Sequence, residues 1–163
     1  MKEIIVVGLI GGLVGTIVMD LFGLGMFLVM GGPATISFSI IGDAAAGFFS
    51  MMGLAMTGGA PLGAVLHYMI GLALGVVFGA AVSRVNALRV DSTKKGVGLG
   101  ILYVEAMSLP MLATAAIILQ MTASETTQWF GLSFVMHLVY GGVLGIVVNR
   151  GVHPTFRAVK ASI

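Results

Sequence analysis

The chain lacks cysteine, and it contains few charged residues. Without cysteine, disulfides and thiolate metal sites are excluded. Charged residues account for 9% of the 163 residues, whereas a soluble domain carries about 25%. Apolar residues account for 58%, and the mean hydropathy is +1.12. The composition therefore excludes a soluble globular domain and predicts an integral protein of the lipid bilayer.

The basic residues are confined to three short regions. All eight are found at Lys2, at Arg84, Arg89, Lys94 and Lys95, and at Arg150, Arg157 and Lys160. The connections at about 31–60 and 122–130 contain neither lysine nor arginine. Four spans would place the three basic regions on one side, so the positive-inside rule predicts a multi-pass protein of the cell membrane with both termini cytoplasmic. Because lipid headgroups account for these charges, they do not indicate a nucleic-acid partner.

Four apolar stretches are long enough to cross a bilayer, which takes about 20 residues. They cover residues of about 4–30, 61–82, 96–121 and 128–148. Thr122 and Glu125 have the spacing of a helix-capping box before the last span. Trp129 and Phe130 are then expected at the outer membrane interface. The sequence predicts one domain, 1–163, with an all-α fold: a four-transmembrane-helix bundle.

The first outer connection is long and apolar. Gly31-Gly32-Pro33 ends the first span, and Asp43 has the position of an N-cap for a helix over 43–56. A helix of that length covers only about 20 Å, which is too short to cross the membrane. We therefore predict a short outer helix that lies in the interface, re-enters the bilayer or docks against a partner.

Two histidines lie in similar patterns. The first reads Gly63-x3-His67-x3-Gly71-x3-Gly75-x3-Gly79, and the second reads Ser133-x3-His137-x3-Gly141-x3-Gly145-x3-Asn149. Small residues every four positions share one helix face and allow close helix packing, which we assign to Gly63, Gly71, Gly75, Gly79, Gly141 and Gly145.

A shift of 70 positions aligns the two histidine patterns, and a shift of 85 aligns the first span with the third. The shift of 85 positions matches Asp20 to Glu105. The chain is therefore predicted to contain two parallel two-helix repeats, about 4–83 (with the outer helix inserted) and about 90–150, related by an axis along the membrane normal.

Ionisable side chains inside a span are costly and mark functional sites. The candidates are Asp20, His67, Glu105 and His137. Four interpretations remain open: hydrogen bonds that fix helix register, axial ligation of a b-type haem by the two histidines, a proton relay or ion site, and a copper or zinc site. The sequence contains no recognisable catalytic motif, and no catalytic residue is predicted.

The segments Gly11-Gly-Leu-Val-Gly15-Thr-Ile-Val-Met19-Asp20, Leu66-His67-Tyr-Met-Ile-Gly71 and Met136-His137-Leu-Val-Tyr-Gly141-Gly-Val-Leu-Gly145 resemble a broad family of small four-helix membrane proteins. The family occurs in archaea and bacteria and carries only domain-of-unknown-function names. The resemblance covers most of the chain, and it implies a four-helix membrane fold without an assigned activity. The apolar outer helix with Asp43 departs from that pattern. A small, methionine-rich chain without cysteine is also similar in type to accessory subunits of archaeal respiratory or copper monooxygenase complexes.

The leading functional prediction is an accessory, non-catalytic subunit of a larger respiratory or monooxygenase-type membrane complex. It follows from the small soluble mass, the apolar outer helix and the few interior polar groups. The partners would be other membrane subunits or a second copy. One alternative is a small proton or ion transporter or channel that uses the Asp20/His67 and Glu105/His137 pairs. The other is an electron carrier that binds haem b between the two histidines.

Overall fold

The computed structural model describes the backbone of residues 2–161 and the side chains of residues 3–151, so the predicted topological charges of Lys2, Arg157 and Lys160 lie outside the described side chains. This part of the chain is all-helical, as predicted. It forms α1 (Lys2–Met30), α2 (Ile36–Met51), α3 (Ala60–Arg84), α4 (Thr93–Ile118) and α5 (Ala123–Ala161), with a 3₁₀ turn at Asn86–Leu88.

Four of the helices, α1, α3, α4 and α5, are long and apolar enough to cross a membrane. Their positions match the four predicted spans, but several boundaries of the last two spans differ by a few residues. The last span begins at Ala123 because the Glu125 carboxylate accepts a hydrogen bond from the Thr122 N–H at 2.8 Å, which starts the helix earlier than predicted. The third begins at Thr93, where the Ser92 hydroxyl accepts from the Lys95 N–H at 3.4 Å, and it ends at Ile118.

The prediction that Asp43 caps a helix over 43–56 is wrong. The short helix α2 begins at Ile36, and Asp43 lies near its middle. Its carboxylate instead accepts a hydrogen bond at 2.7 Å from the N–H of Gly59, the residue that precedes α3. An aspartate close to a helix start is favoured because the first N–H groups have no partner within the helix. The acid therefore caps a helix, but that helix is α3.

Helix α1 lies between α3 and α5, and α4 packs along the other side of α5. By contrast, α3 and α4 hardly touch each other. Helix α2 packs on α3 and, to a smaller extent, on α4, so it lies across the gap between them. This arrangement leaves space inside the bundle at the end that carries α2.

Glycines bring the backbones of α1 and α3 into direct contact. A Cβ atom at Gly8 would lie 2.6 Å from the carbonyl oxygen of Gly75, and one at Gly12 would meet the carbonyl oxygen of Gly71. Real Cβ atoms do not approach that closely, so only glycine permits this separation. Further along α3, a Cβ atom at Gly79 would lie 3.3 Å from Gly8 Cα.

The contact between α4 and α5 is built in the same way. A Cβ atom at Gly96 would lie 2.8 Å from the Gly145 carbonyl oxygen, and one at Gly100 would meet that of Gly141. All six glycines predicted to pack helices thus lie against the backbone or side chain of another helix; Gly63 lies against α2.

Two neighbouring glycines on α5 provide a test of these close contacts. A Cβ atom at Gly141 would lie 2.7 Å from Ile101 Cα, whereas one at Gly142 would meet nothing within 4 Å. We expect Gly141→Ala to destabilise the protein by about 1–3 kcal/mol, as overpacking of a tight contact does. The matched control Gly142→Ala has the same change in helix propensity and should not destabilise it. Reversible unfolding in mixed detergent micelles measures both; equal stabilities would contradict the packing described.

Candidate functional site

Asp20 on α1 and His67 on α3 form a partly buried polar pair. The Asp20 Oδ1 atom lies 3.0 Å from His67 Nε2, and the two side chains are 19% and 17% exposed. The pair lies about one turn along α3 and just over two turns along α1 from the Gly12–Gly71 backbone contact, which holds the two helices close together. Phe38 of α2 packs edge-on against the imidazole, with 5.4 Å between ring centroids.

The second Asp20 oxygen, Oδ2, is buried and makes no hydrogen bond in the described part of the chain. A carboxylate in a low-dielectric environment is stabilised only when its charge is compensated by hydrogen bonds or a partner charge. The Tyr68 side chain, next to His67 on α3, also lies close to this carboxylate. Asp20 is thus placed beside an imidazole and a phenol.

Glu105 and His137 were the predicted second pair, and no hydrogen bond joins them. Glu105 Oε1 and His137 Nδ1 are each buried without a hydrogen-bond partner among the described residues. Ser108, one turn beyond Glu105, lines the same internal space as His137. Its hydroxyl donates to the Glu105 backbone carbonyl at 3.1 Å. The two histidines thus have different surroundings.

A cavity of about 590 Å³ occupies the α2 end of the bundle. All five helices contribute to its walls, and both histidines line it; its apolar residues include Met19, Phe48, Leu74, Leu112 and Trp129. Binding sites for small molecules measure about 300–1,000 Å³ and have mainly apolar walls. The cavity matches such a site in both size and composition.

Tyrosines close the other end of the cavity. The hydroxyl of Tyr140, which is 2% exposed, donates to the Gly71 carbonyl at 2.6 Å. The Tyr103 hydroxyl donates to the Leu74 carbonyl at 3.1 Å and links α4 to α3 where few other contacts join them. The Tyr103 ring also packs on Phe78, with 5.3 Å between centroids. Beyond these residues the bundle has a closely packed apolar core.

The cavity is partly open to the outside of the bundle, so its apolar walls are not fully covered by the described side chains. An apolar molecule or lipid chain inside the cavity would recover contacts that the side chains do not make with one another.

The geometry bears on the metal and haem interpretations. Among the described residues, no three His, Cys, Asp or Glu side chains are placed to hold one metal ion. Asp20, His67, Glu105 and His137 therefore do not converge into a copper or zinc site. A haem iron ligated by His67 Nε2 would have to displace Asp20 from that nitrogen. The Asp20–His67 pair thus competes with haem ligation through this atom.

The sequence did not identify Tyr140, Ser108 or Thr16 as part of the site. Tyr140 precedes a Gly-Gly pair, which is the only local sign that a large ring lies beside closely packed backbones. Trp129 was expected at the membrane interface, but it is 8% exposed and lines the cavity. Its indole N–H has no partner in the described part of the chain. This ring lies against the space left between α3 and α4.

Comparison with protein-family models, with curated proteins and with solved structures finds no match to this chain.

A double-mutant cycle measures the strength of the Asp20–His67 contact. We expect Asp20→Asn and His67→Leu to show a coupling energy of about 0.6–1.7 kcal/mol, the range measured for polar contacts between membrane helices. A parallel cycle with Glu105→Gln and His137→Leu should give a coupling near zero, because no hydrogen bond joins those side chains. Unfolding in mixed micelles provides the free energies; equal couplings in both cycles would contradict the difference between the two histidines.

Proposed function

We propose that this chain is a small proton-linked membrane transporter in which the Asp20–His67 pair takes up and releases the proton. The observation that carries the proposal is a carboxylate–imidazole contact of 3.0 Å between two helices long enough to span a membrane. Such pairs inside a bilayer are costly and occur in proton relays. Histidine is suited to this role because it exchanges its proton near physiological pH.

The position of the pair supports proton exchange. His67 lines the cavity, so a proton or a proton-carrying molecule inside it can reach the imidazole. When His67 Nε2–H donates to Asp20 Oδ1, Nδ1 is the position for a second proton. With that proton bound, an imidazolium faces a carboxylate; without it, the neutral ring remains hydrogen-bonded. Both states keep the two helices in contact.

The accessory-subunit hypothesis is a second proposal. Helix α1 exposes apolar side chains along its length, and α2 exposes Met51 and Met52, which are 79% and 54% exposed. Either lipid or another subunit could cover these surfaces, so their exposure does not distinguish a subunit from a transporter. The contact between Asp20 and His67 is the more specific observation, and it favours the transporter. Co-purification of stoichiometric partner chains in mild detergent would support this second proposal. The haem-carrier hypothesis stays a prediction, for which absorption by a bound porphyrin is the test.

We also propose that the two halves derive from a duplication. The α1–α3 and α4–α5 glycine contacts correspond when Gly8 is matched to Gly96 and Gly12 to Gly100, which is a shift of 88 positions. The predicted shift of 85 used Gly11 and Gly15 instead, but these glycines face Leu144 and Tyr140 of α5. A shift of 88 matches Asp20 to Ser108 rather than to Glu105. The acid would then belong to the first half alone.

Proton flux into liposomes tests the transporter proposal. We expect purified protein to speed the collapse of an imposed pH gradient, recorded with a trapped pH dye and with valinomycin to clamp the potential. Asp20→Asn and His67→Leu should reduce the rate at least ten-fold, because each removes a proton-binding group. Asp91→Asn, in the α3–α4 connection, makes the same acid-to-amide change outside the spans and should retain the full rate. Equal rates in all variants would reject the proposal.

The predicted orientation places α2 and the cavity toward the cell exterior. Because the chain has no cysteine, single cysteines report orientation without background. In intact cells, a membrane-impermeant maleimide should label Ser124→Cys, which lies in the first turn of α5. It should label Ala87→Cys, in the α3–α4 connection, only after permeabilisation. The reverse pattern would show that both termini lie outside.

A further inference from the structure

We propose that the cavity binds a neutral, largely hydrocarbon molecule that carries a single hydrogen-bonding group, such as a hydroxyl or carbonyl. This inference goes beyond proton transport and does not depend on it, because binding requires no proton movement. It rests on the walls of the cavity, on the one histidine left without a partner, and on the helix that covers the α3–α4 gap.

The walls favour a neutral ligand. Of the described side chains that line the cavity, none belongs to lysine, arginine, aspartate or glutamate. Several lining hydroxyls already donate to backbone carbonyls: Thr16 to Gly12 at 2.9 Å, and Thr114 to Pro110 at 2.8 Å. Tyr140 likewise donates to Gly71. An ion would lose its hydration without compensation here, whereas a hydrocarbon surface would gain packing contacts.

His137 provides the polar contact. His67 is bonded to Asp20, but neither ring nitrogen of His137 makes a hydrogen bond within the described chain. Nδ1 is buried by the surrounding protein, so Nε2 is the ring nitrogen of His137 that a ligand in the cavity can reach. A buried polar group gains from any partner that satisfies it. The Trp129 indole N–H in the same wall also has no partner in the described part of the chain. A largely apolar space with these two groups available matches a hydrocarbon ligand whose one hydroxyl or carbonyl can bond to His137.

Helix α2 gives such a ligand a route from the lipid. It lies across the gap between α3 and α4, and Phe48 faces both the cavity and the exterior, being 47% exposed. Gly31 and Gly53 flank α2 with positive φ angles of 72° and 80°. A Cβ at either position would meet nothing within 4 Å. The cavity is partly open to the outside of the bundle, which gives a ligand from the lipid access to it.

The single tryptophan of the chain, Trp129, lines the cavity and reports on its contents. The probe is ω-bromoundecanol, a neutral alcohol whose bromine quenches tryptophan fluorescence on contact. We expect saturable quenching in nanodiscs at fixed pH, reversed by unbrominated undecanol. Quenching that rises linearly with probe and is not reversed would show partition into lipid only and would overturn the proposal.

Cavity-filling variants locate the probe. Ala45→Phe on α2 and Ser108→Phe on α4 place a ring inside the cavity, and each should weaken binding at least ten-fold. Leu102→Phe adds a ring on α4 at a position that is 68% exposed, and it should bind as the unmodified chain does. Folding is checked by helical content and thermal unfolding. If neither filled variant folds, the reversal of Trp129 quenching by undecanol in the unmodified protein decides whether the cavity binds the probe.

Two further arms identify the chemistry and source of the ligand. His137→Leu should weaken ω-bromoundecanol about five-fold, the effect of one net hydrogen bond, and leave bromoundecane unchanged. Equal loss for both probes would overturn the role of His137. Nanodiscs of brominated phosphatidylcholine test the bilayer as the source. If Trp129 is quenched there and undecanol reverses the quenching, the cavity binds a lipid chain, which supports the site. All these results can hold even if the protein conducts no protons.

Discussion

The backbone contacts between glycines on α1 and α3, and on α4 and α5, determine where the polar side chains meet. At the Gly12–Gly71 contact the helix axes are so close that Asp20 reaches His67 with one methylene group. A larger residue at Gly71 would push α3 away from Thr16 and break this reach. Because lipid supplies no hydrophobic force between helices, such close packing is a main source of association.

The same contacts explain the cavity. The glycine contacts hold α1 tightly against α3 and α4 tightly against α5, and α1 packs on α5 through Gly11 and Gly15. No comparable small-residue contact joins α3 to α4, where Tyr103 and Phe78 instead fill the space with rings. The helices separate beyond those rings, toward the end where α2 covers them. Tight packing at three interfaces thus leaves the fourth open.

The fold could be predicted from the sequence because its signals are strong and local: four apolar runs, the Thr122–Glu125 capping box and the small residues every four positions. The site could be predicted only in part. Aspartate near a helix start was assigned to the wrong helix, because sequence cannot show that Asp43 lies beside Gly59. The alignment of the first span with the third was ambiguous because α1 has two glycine faces, Gly8/Gly12 and Gly11/Gly15. Matching identical residues favoured Gly11 and Gly15, which pack on α5.

That ambiguity changes the meaning of the two histidines. With the alignment predicted from the sequence, each had an acid and the two sites were equivalent. In the structure His67 has Asp20, whereas His137 has no bonded partner and shares its cavity wall with Ser108. Two histidines in one cavity with different partners have different chemistry: the first is held by a carboxylate, whereas the second has no bonded partner in the described part of the chain. A neutral ligand on His137 would lie in the same space that His67 lines, so it would limit what else can reach the first imidazole.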